Sequence, residues 1–137
     1  MSVENVEVVR EAMSLMNVAG RDREAARRLV DLFDPEVRID MSRRVFNPDI
    51  YEGHEGLRRL GGEVRDVWEE FRIEPERFVD AGDTVVVVEK RYGRGRGSGI
   101  DVEQRSAVIW TLRNGKIIAM ETDVDPQEAL TAVGAGE

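Results

Sequence analysis

Charged side chains suited to proton transfer stand two residues apart in two segments. Glu121 and Asp123 lie in KIIAMETDV, and Glu89 and Arg91 lie in VEKRYG. Residues at this spacing share one face of a β-strand. A carboxylate pair could work as a general acid and base, and a carboxylate beside a guanidinium could form a buried, mutually neutralising pair in a pocket wall. Two simpler interpretations stay open: a solvent-facing or interface pair at Glu121 and Asp123, and a rim salt bridge at Glu89 and Arg91.

Asp40 and His54 are further candidates for proton transfer. Asp40, in RIDMS, shares a strand face with Arg38 and Ser42, opposite the apolar residues of that strand, which also fits an exposed or ion-paired carboxylate. His54 stands in GHEG at the start of a predicted helix, where the helix dipole disfavours the imidazolium form. A neutral His54 could act as a base at a pocket mouth, or it could fix the conformation of the loop.

Large aromatic side chains could line an apolar pocket or simply fill the core. The residues concerned are Tyr51, Trp68, Tyr92 and Trp110.

The composition restricts the metals and cofactors that the chain could bind. There is no cysteine and a single histidine, so thiolate zinc sites, iron–sulfur clusters and histidine-rich centres are excluded within one chain. A site built only of carboxylates for a hard cation remains allowed, although no motif points to one. We therefore predict no cofactor and no metal.

The segment RYGRGRGSG (91–99) could be taken for a nucleotide loop or an RNA-binding tail. A nucleotide-binding loop needs glycines in the pattern G-x-G-x-x-G between a strand and a helix. Here the glycines recur at every second position between two predicted strands, which favours a hairpin. The net charge of −8 and the pI near 4.8 also repel a phosphate backbone, so we predict no nucleic-acid partner.

The remaining patterns supply the elements that must position these residues. Apolar spacings of three and four predict helices near 6–16, 23–33 and 57–71, and Asp22 is a suitable N-cap for the second. Five segments read as strands: VRIDMS, FRIEPERFVD, TVVVVEKRY, DVEQRSAVIWTLR and KIIAMETDV. DPQEALTAVG has the capping residues of a short final helix. The order predicts a single α+β domain over residues 1–137, with helices packed on one sheet face.

Two observations bear on location and assembly. The N-terminal residues lack a basic, then apolar, signal pattern and the longest aliphatic run is VVVV, so we expect a cytoplasmic protein without membrane contact. TVVVVE and AVIWTL are apolar on both strand faces, and one helix layer can cover only one face. We therefore predict a homodimer that pairs through the outer face of the sheet.

Several segments, in this order, resemble the SnoaL-like branch of the nuclear transport factor 2-like superfamily. They are FDPEVRIDMSR, YEGHEGLRRL, FVDAGDTVVVV, GRGRGSGI, NGKI and DPQEAL, and together they span nearly the whole chain. The resemblance implies a strongly curved antiparallel sheet, a cone or half-barrel, wrapped around three helices from the N-terminal half, with a short C-terminal helix. It also implies a pocket at the wide end of the cone and a second subunit on the outer sheet face.

The family that the chain resembles includes polyketide cyclases, ketosteroid isomerases, epoxide hydrolases and accessory subunits. The isomerase relatives use a carboxylate near the end of the first strand, close to Asp40, and a tyrosine and a protonated acid that hold the enolate oxygen. The matching positions of that pair here are Ala12 and Val108, so the isomerase set is incomplete.

The epoxide hydrolase relatives combine Arg-x-Asp on a middle strand with an aspartate on the last strand. The chain has Glu89-x-Arg91 in the reverse order, and Thr122 stands at the last-strand position between Glu121 and Asp123. The residue types are therefore similar to those of the epoxide hydrolase relatives, but their order along the strands differs.

These observations predict a protein that binds a small apolar ligand, as a cofactor-independent isomerase, cyclase or hydrolase acting on an apolar oxygenated substrate. The alternative is a ligand-binding or protein-interaction module without turnover. The candidate catalytic residues are Asp40 and Asp123, and the candidate pocket residues are Tyr51, His54, Trp68, Glu89, Arg91 and Trp110.

Overall fold

The structure, a computed structural model, describes residues 2–135, with side chains from residue 4 onward. Four α-helices are present in this range: α1 (Ser2–Met16), α2 (Arg23–Asp31), α3 (Gly53–Val67) and α4 (Pro126–Ala132). A short 3-10 helix, Ala19–Arg21, precedes α2. Asp22 caps α2 as predicted, since its carboxylate accepts a hydrogen bond from the backbone N–H of Ala25 at 3.1 Å.

Six strands form one sheet in the order β2-β1-β6-β5-β4-β3. Their bounds are β1 (Phe33–Met41), β2 (Asp49–Glu52), β3 (Trp68–Ala81), β4 (Thr84–Gly95), β5 (Asp101–Arg113) and β6 (Lys116–Val124). The predicted α+β fold with a curved sheet, three helices in the N-terminal half and a short final helix is confirmed. One detail differs: β1 and β6 pair in parallel, so the sheet is mixed and is open at β2 and β3.

The third helix ends earlier than the sequence pattern predicts. Trp68 and Phe71 continue the apolar spacing of α3, but the backbone changes to extended geometry at Trp68 and both residues belong to β3. Pairing with β4 explains the change, because Trp68 lies opposite Gly95 and Phe71 opposite Gly93 in the ladder. The bulge predicted near Pro75 is present on this edge strand, between Pro75 and Arg77.

The inner face of the sheet carries the main core. Side chains of β4, β5 and β6 pack there with α1 and α3, and the cluster includes Val9, Met13, Leu60, Val85, Val87, Trp110 and Met120. The period of two along β4 continues from Val85 and Val87 to Glu89 and Arg91, so these charged residues also point towards the helices.

The outer face of the sheet is covered in part by the final helix. Val86 and Val88 of β4 are fully buried there within one chain, packed with Ala129 and Leu130 of α4. The sequence argument assigned these apolar residues to a second subunit, and α4 covers them instead. The homodimer stays a prediction.

The segment RYGRGRGSG forms the end of β4 and the turn into β5, as predicted. Gly97 and Gly99 adopt φ values of 88° and 70°, a left-handed region that favours glycine. The Gly95 N–H donates to the carbonyl of Ile100 at 2.9 Å and closes the turn. No helix among residues 2–135 is long and apolar enough to cross a membrane.

Candidate functional site

A cavity of about 1310 Å³ lies between the inner face of the sheet and helices α1 to α3. Most of its wall is apolar, with Leu29, Leu60, Ile73, Val108 and Met120 among the lining residues. Arginines and acidic residues of β3 and β4 and acidic residues of β5 also line it. The cavity is therefore suited to a small, largely apolar molecule.

Glu89 is the acidic residue of this wall that is most deeply buried, with 2% of its surface exposed. Its carboxylate makes no hydrogen bond to any described residue, and its Oε2 lies 3.5 Å from Nε of Arg91. Burial raises the pKa of Glu89 from 4.5 to about 7, the nearby charge of Asp123 adds to the increase, and Arg91 opposes it. Glu89 can therefore hold or release a proton near neutral pH.

Arg91 connects Glu89 to a second carboxylate. Its Nη2 donates to Oδ1 of Asp123 and, at 3.1 Å, to Oγ of Ser106 on the neighbouring strand. Its Nε is buried and has no hydrogen-bond partner among the residues that the structure describes. The guanidinium is thus fixed on one side by Asp123, and on the other its Nε faces the Glu89 carboxylate at 3.5 Å without forming a hydrogen bond.

The backbone of Asp123 explains how its side chain reaches Arg91. Asp123 has φ of 58°, and the pairing of β5 with β6 shifts register between Ala107 and Ile109. This irregularity separates Asp123 from Glu121, which binds Arg43 instead. The Asp123 carboxylate also accepts hydrogen bonds from Oγ1 of Thr122 at 2.9 Å and from Nε2 of Gln104 at 3.3 Å. A left-handed conformation at a non-glycine residue is costly, and such strain concentrates at functional sites.

Comparison with known proteins identifies the family. A model of the SnoaL-like domain matches residues 9–120, most of the chain. The chain belongs to the SnoaL-like family. No curated protein sequence matches it.

Solved structures that are similar to this SnoaL-like protein share its fold at low sequence identity. A SnoaL-like protein from Jannaschia sp. CCS1, provisionally assigned as a polyketide cyclase, is 22% identical, with a TM-score of 0.75 over 100% of this chain and 96% of that one. TerC, co-crystallised with polyporic acid, is 23% identical, with a TM-score of 0.73 over 95% and 97% of the two chains. A protein from Catenulispora acidiphila DSM 44928, in complex with trimethylamine, is 17% identical, with a TM-score of 0.72 over 93% and 92%.

Four of the residues that the sequence predicts for the pocket lie in the cavity wall of this SnoaL-like protein: Trp68, Glu89, Arg91 and Trp110. Asp123 adjoins that wall through its ion pair with Arg91. The indole Nε1 of Trp110 is buried and lacks a hydrogen-bond partner among residues 2–135, like Nε of Arg91. The wall therefore contains an acid and two buried N–H groups that make no hydrogen bond to a described residue.

The structure places Asp40, Tyr51 and His54 away from the cavity wall. Asp40 caps the backbone N–H of Ser42 at 2.9 Å, and hydrogen bonds from Ser42 lower its pKa. The Tyr51 hydroxyl donates to Glu63, and its ring is fully buried in the core.

Nε2 of His54 lies 2.8 Å from the carbonyl oxygen of Phe33, in hydrogen-bonding contact. This contact favours the loop-fixing interpretation of His54. Among the described residues, no group of three histidine or acidic side chains could hold a metal ion.

Sequence reasoning did not single out Ser106 or Gln104 as partners of the charged cluster. Ser106 is a buried polar residue at an inward position of β5, next to the apolar run AVIW. A hydroxyl at a core position is a usable signal, because buried polar groups need hydrogen-bond partners. Gln104 lies on the exposed part of β5 and offers no comparable signal.

The raised pKa of Glu89 predicts a specific pH dependence of stability. Between pH 4.5 and about 7 the folded protein keeps the Glu89 proton that the unfolded chain loses, so the free energy of unfolding falls as pH rises through this window. Glu89→Gln removes this dependence, and we expect it to be more stable than the wild type by about 3 kcal/mol at pH 8 and nearly equal at pH 4.5. Urea unfolding at both pH values measures the difference.

Glu74→Gln is the matched control for this measurement, since Glu74 is exposed on β3. It should change the free energy of unfolding by less than about 0.5 kcal/mol at either pH. An equal effect of Glu89→Gln at pH 4.5 and pH 8 would contradict the assignment of a raised pKa to Glu89.

Proposed function

We propose that this SnoaL-like protein binds a small, largely apolar, oxygenated molecule in its cavity and transforms it by acid–base chemistry, without a cofactor, through Glu89. The reaction class is isomerisation, cyclisation or hydrolysis. The observation that carries the proposal is the Glu89 carboxyl group, buried in the cavity wall with a pKa of about 7. A catalytic group whose pKa lies near the working pH has the best combination of correct protonation state and driving force for proton transfer.

The surroundings of Glu89 suit a ligand oxygen. In its ionised form Glu89 can take a proton from a carbon next to a carbonyl group, and in its protonated form it can donate to an oxygen. The guanidinium of Arg91, whose Nε makes no hydrogen bond to a described residue and lies 3.5 Å from Oε2 of Glu89, supplies positive charge that stabilises that oxygen while negative charge develops on it. Asp123 is a positioning residue in this scheme, because it fixes the guanidinium from the opposite side.

Three similar structures support the small-molecule part of the proposal. One was co-crystallised with polyporic acid and another is in complex with trimethylamine. The provisional assignment of a third as a polyketide cyclase fits an oxygenated substrate.

A ligand-binding protein without turnover is the second candidate function. By the family resemblance, Ala12 and Val108 correspond to the positions where the isomerase relatives hold the enolate oxygen, and neither side chain has a hydrogen-bonding group. Binding measurements alone do not separate the two candidates, whereas a proton-transfer assay does.

Calorimetric titration with acetophenone and 4-acetylbiphenyl tests the binding step. We expect both ketones to bind, with an affinity that falls as pH rises through about 7, because protonated Glu89 donates to the carbonyl oxygen and the carboxylate does not. Val108→Trp places a large side chain in the cavity wall and should weaken binding of both ketones.

The control variant is Val45→Trp, which adds the same side chain at a loop position that is 83% exposed. It should bind like the wild type. Failure of both ketones to bind, or unchanged binding by Val108→Trp, would contradict the proposal.

A further inference from the structure

Trp68 lies directly on the backbone of Gly93 in the wall of the cavity. A Cβ atom built on Gly93 would stand 2.7 Å from Cε3 and 2.8 Å from Cζ3 of the Trp68 ring, closer than real Cβ contacts. Any side chain at position 93 must therefore displace the indole. Gly93 follows Glu89 and Arg91 on the same face of β4, and both Gly93 and Trp68 line the cavity.

The hairpin that carries Gly93 also fixes the backbone of Trp68. The guanidinium of Arg96 donates to the carbonyl oxygens of Arg65 and Trp68, each at 3.0 Å, and its backbone N–H donates to the carbonyl of Val67 at 2.8 Å. These bonds satisfy carbonyl groups at the C-terminal end of α3, where the chain turns into β3. The ring and the backbone of Trp68 are thus both positioned by one short segment.

We propose that the contact between Trp68 and Gly93 sets the size of ligand that the cavity accepts, which makes Trp68 and Gly93 specificity-determining residues. The inference rests on the proposed function, since it takes the cavity as the ligand site. The indole closes part of the cavity only because residue 93 has no side chain. The segment RYGRGRGSG therefore contributes to ligand selection. This role differs from nucleotide binding and from that of a simple turn.

Two substitutions should change ligand selection in opposite directions. Gly93→Ala pushes the indole off β4 towards the cavity space, so we expect the ratio of affinities for 4-acetylbiphenyl and acetophenone to fall about tenfold. Trp68→Ala opens the same space, so the ratio should rise by a similar factor. Calorimetric titration of each variant with the two ketones gives the ratio.

The double variant Trp68→Ala/Gly93→Ala separates this mechanism from a general loss of order. Once the indole is absent, a Cβ atom at position 93 meets no ring, so Gly93→Ala should leave the ratio of the Trp68→Ala protein unchanged. The matched control is Gly62→Ala in α3, where a new Cβ stands 3.7 Å from the nearest atom, in ordinary contact. Its affinity ratio should equal that of the wild type.

A measurement without ligand keeps the inference distinct from the proposed function. Trp68 and Trp110 are the two tryptophans of the chain, so a Trp110→Phe protein emits from Trp68 alone. Gly93→Ala should shift the Trp68 emission maximum and its quenching by acrylamide, and Gly62→Ala should not.

The inference would be overturned if Gly93→Ala left the Trp68 emission unchanged. It would also be overturned if Gly93→Ala changed the affinity ratio by the same factor in the wild type and in the Trp68→Ala protein. Ratios that move in the same direction in the two single variants would overturn it as well. Ketones that bind with unchanged ratios would overturn the size selection while leaving the proposed function intact. Ketones that do not bind at all would overturn both, and the emission shift would then show whether Gly93 still positions the ring.

Discussion

Arg91→Met is expected to lower the free energy of unfolding by about 3 to 5 kcal/mol at pH 7. The reason is the buried charge that it leaves behind. Arg91 is the cation paired with Asp123, whose side chain is only 8% exposed. Without it, the carboxylate keeps hydrogen bonds from Thr122 and Gln104 but loses its counter-charge. Urea unfolding followed by circular dichroism measures the change.

The stability lost in Arg91→Met should depend on the presence of the Asp123 carboxylate and on the burial of the ion pair. Arg91→Met/Asp123→Asn removes both charges, so it should regain most of the lost stability. Arg105→Met is the control, because Arg105 is an exposed arginine of β5 paired with Glu76, and it should cost less than about 1 kcal/mol. Equal costs at Arg91 and Arg105, or no rescue by the second substitution, would show that the loss does not come from an unpaired buried carboxylate at Asp123.

Glu89→Gln is expected to slow proton transfer to and from a bound ketone by about 10²- to 10⁴-fold, the usual contribution of a general base. The exchange of the methyl protons of acetophenone in D₂O, followed by NMR, measures this step whatever the natural reaction is. In the wild type the exchange rate at saturating ketone should rise with pH, since the carboxylate is the active form. The rate should level off at a pH above about 7, because a ketone that binds protonated Glu89 more tightly raises the pKa of Glu89 in the complex above its value in the free protein. In the variant the pH dependence should disappear.

Asp40→Asn supplies the control for the exchange experiment. Asp40 is a carboxylate of β1 whose hydrogen bond goes to the backbone of Ser42, outside the cavity wall. Its replacement should leave the exchange rate unchanged. A wild-type protein that binds acetophenone without accelerating exchange would favour the ligand-binding candidate, and an unchanged rate in Glu89→Gln would remove Glu89 from the mechanism.

The strand pattern was enough to predict that Glu89 and Arg91 share a strand face, but not that this face lines the cavity. Because side chains alternate strictly along β4, the sequence could place both residues on the face of Val85 and Val87. Which face met the helices depended on the curvature of the sheet, which is a tertiary property. The family resemblance supplied that curvature, and the fold was predictable for this reason.

The position of Asp123 could not be predicted from the same alternation. Strict period two puts it beside Glu121, but the left-handed backbone at Asp123 and the register shift on β5 turn it towards Arg91. Aspartate tolerates this conformation better than most residues, yet no glycine marks the site. The end of α3 was missed for a related reason, since the apolar spacing continues past Val67 and only pairing with β4 makes Trp68 extended.

The parallel pairing of β1 with β6 also governs how the chain must fold. β6 lies between β1 and β5, so the last strand in the sequence is the one that joins the β2–β1 pair to the β5–β4–β3 group. Until it docks, the two groups are separate sheets, each with an unpaired edge that can recruit another chain. The bonds that unite them connect residues as distant as Ile39 and Met120, so the last step of assembly requires the closure of a long loop. Such a topology makes folding slow relative to local hairpin formation and leaves the nascent protein most prone to aggregation just before its final strand is in place.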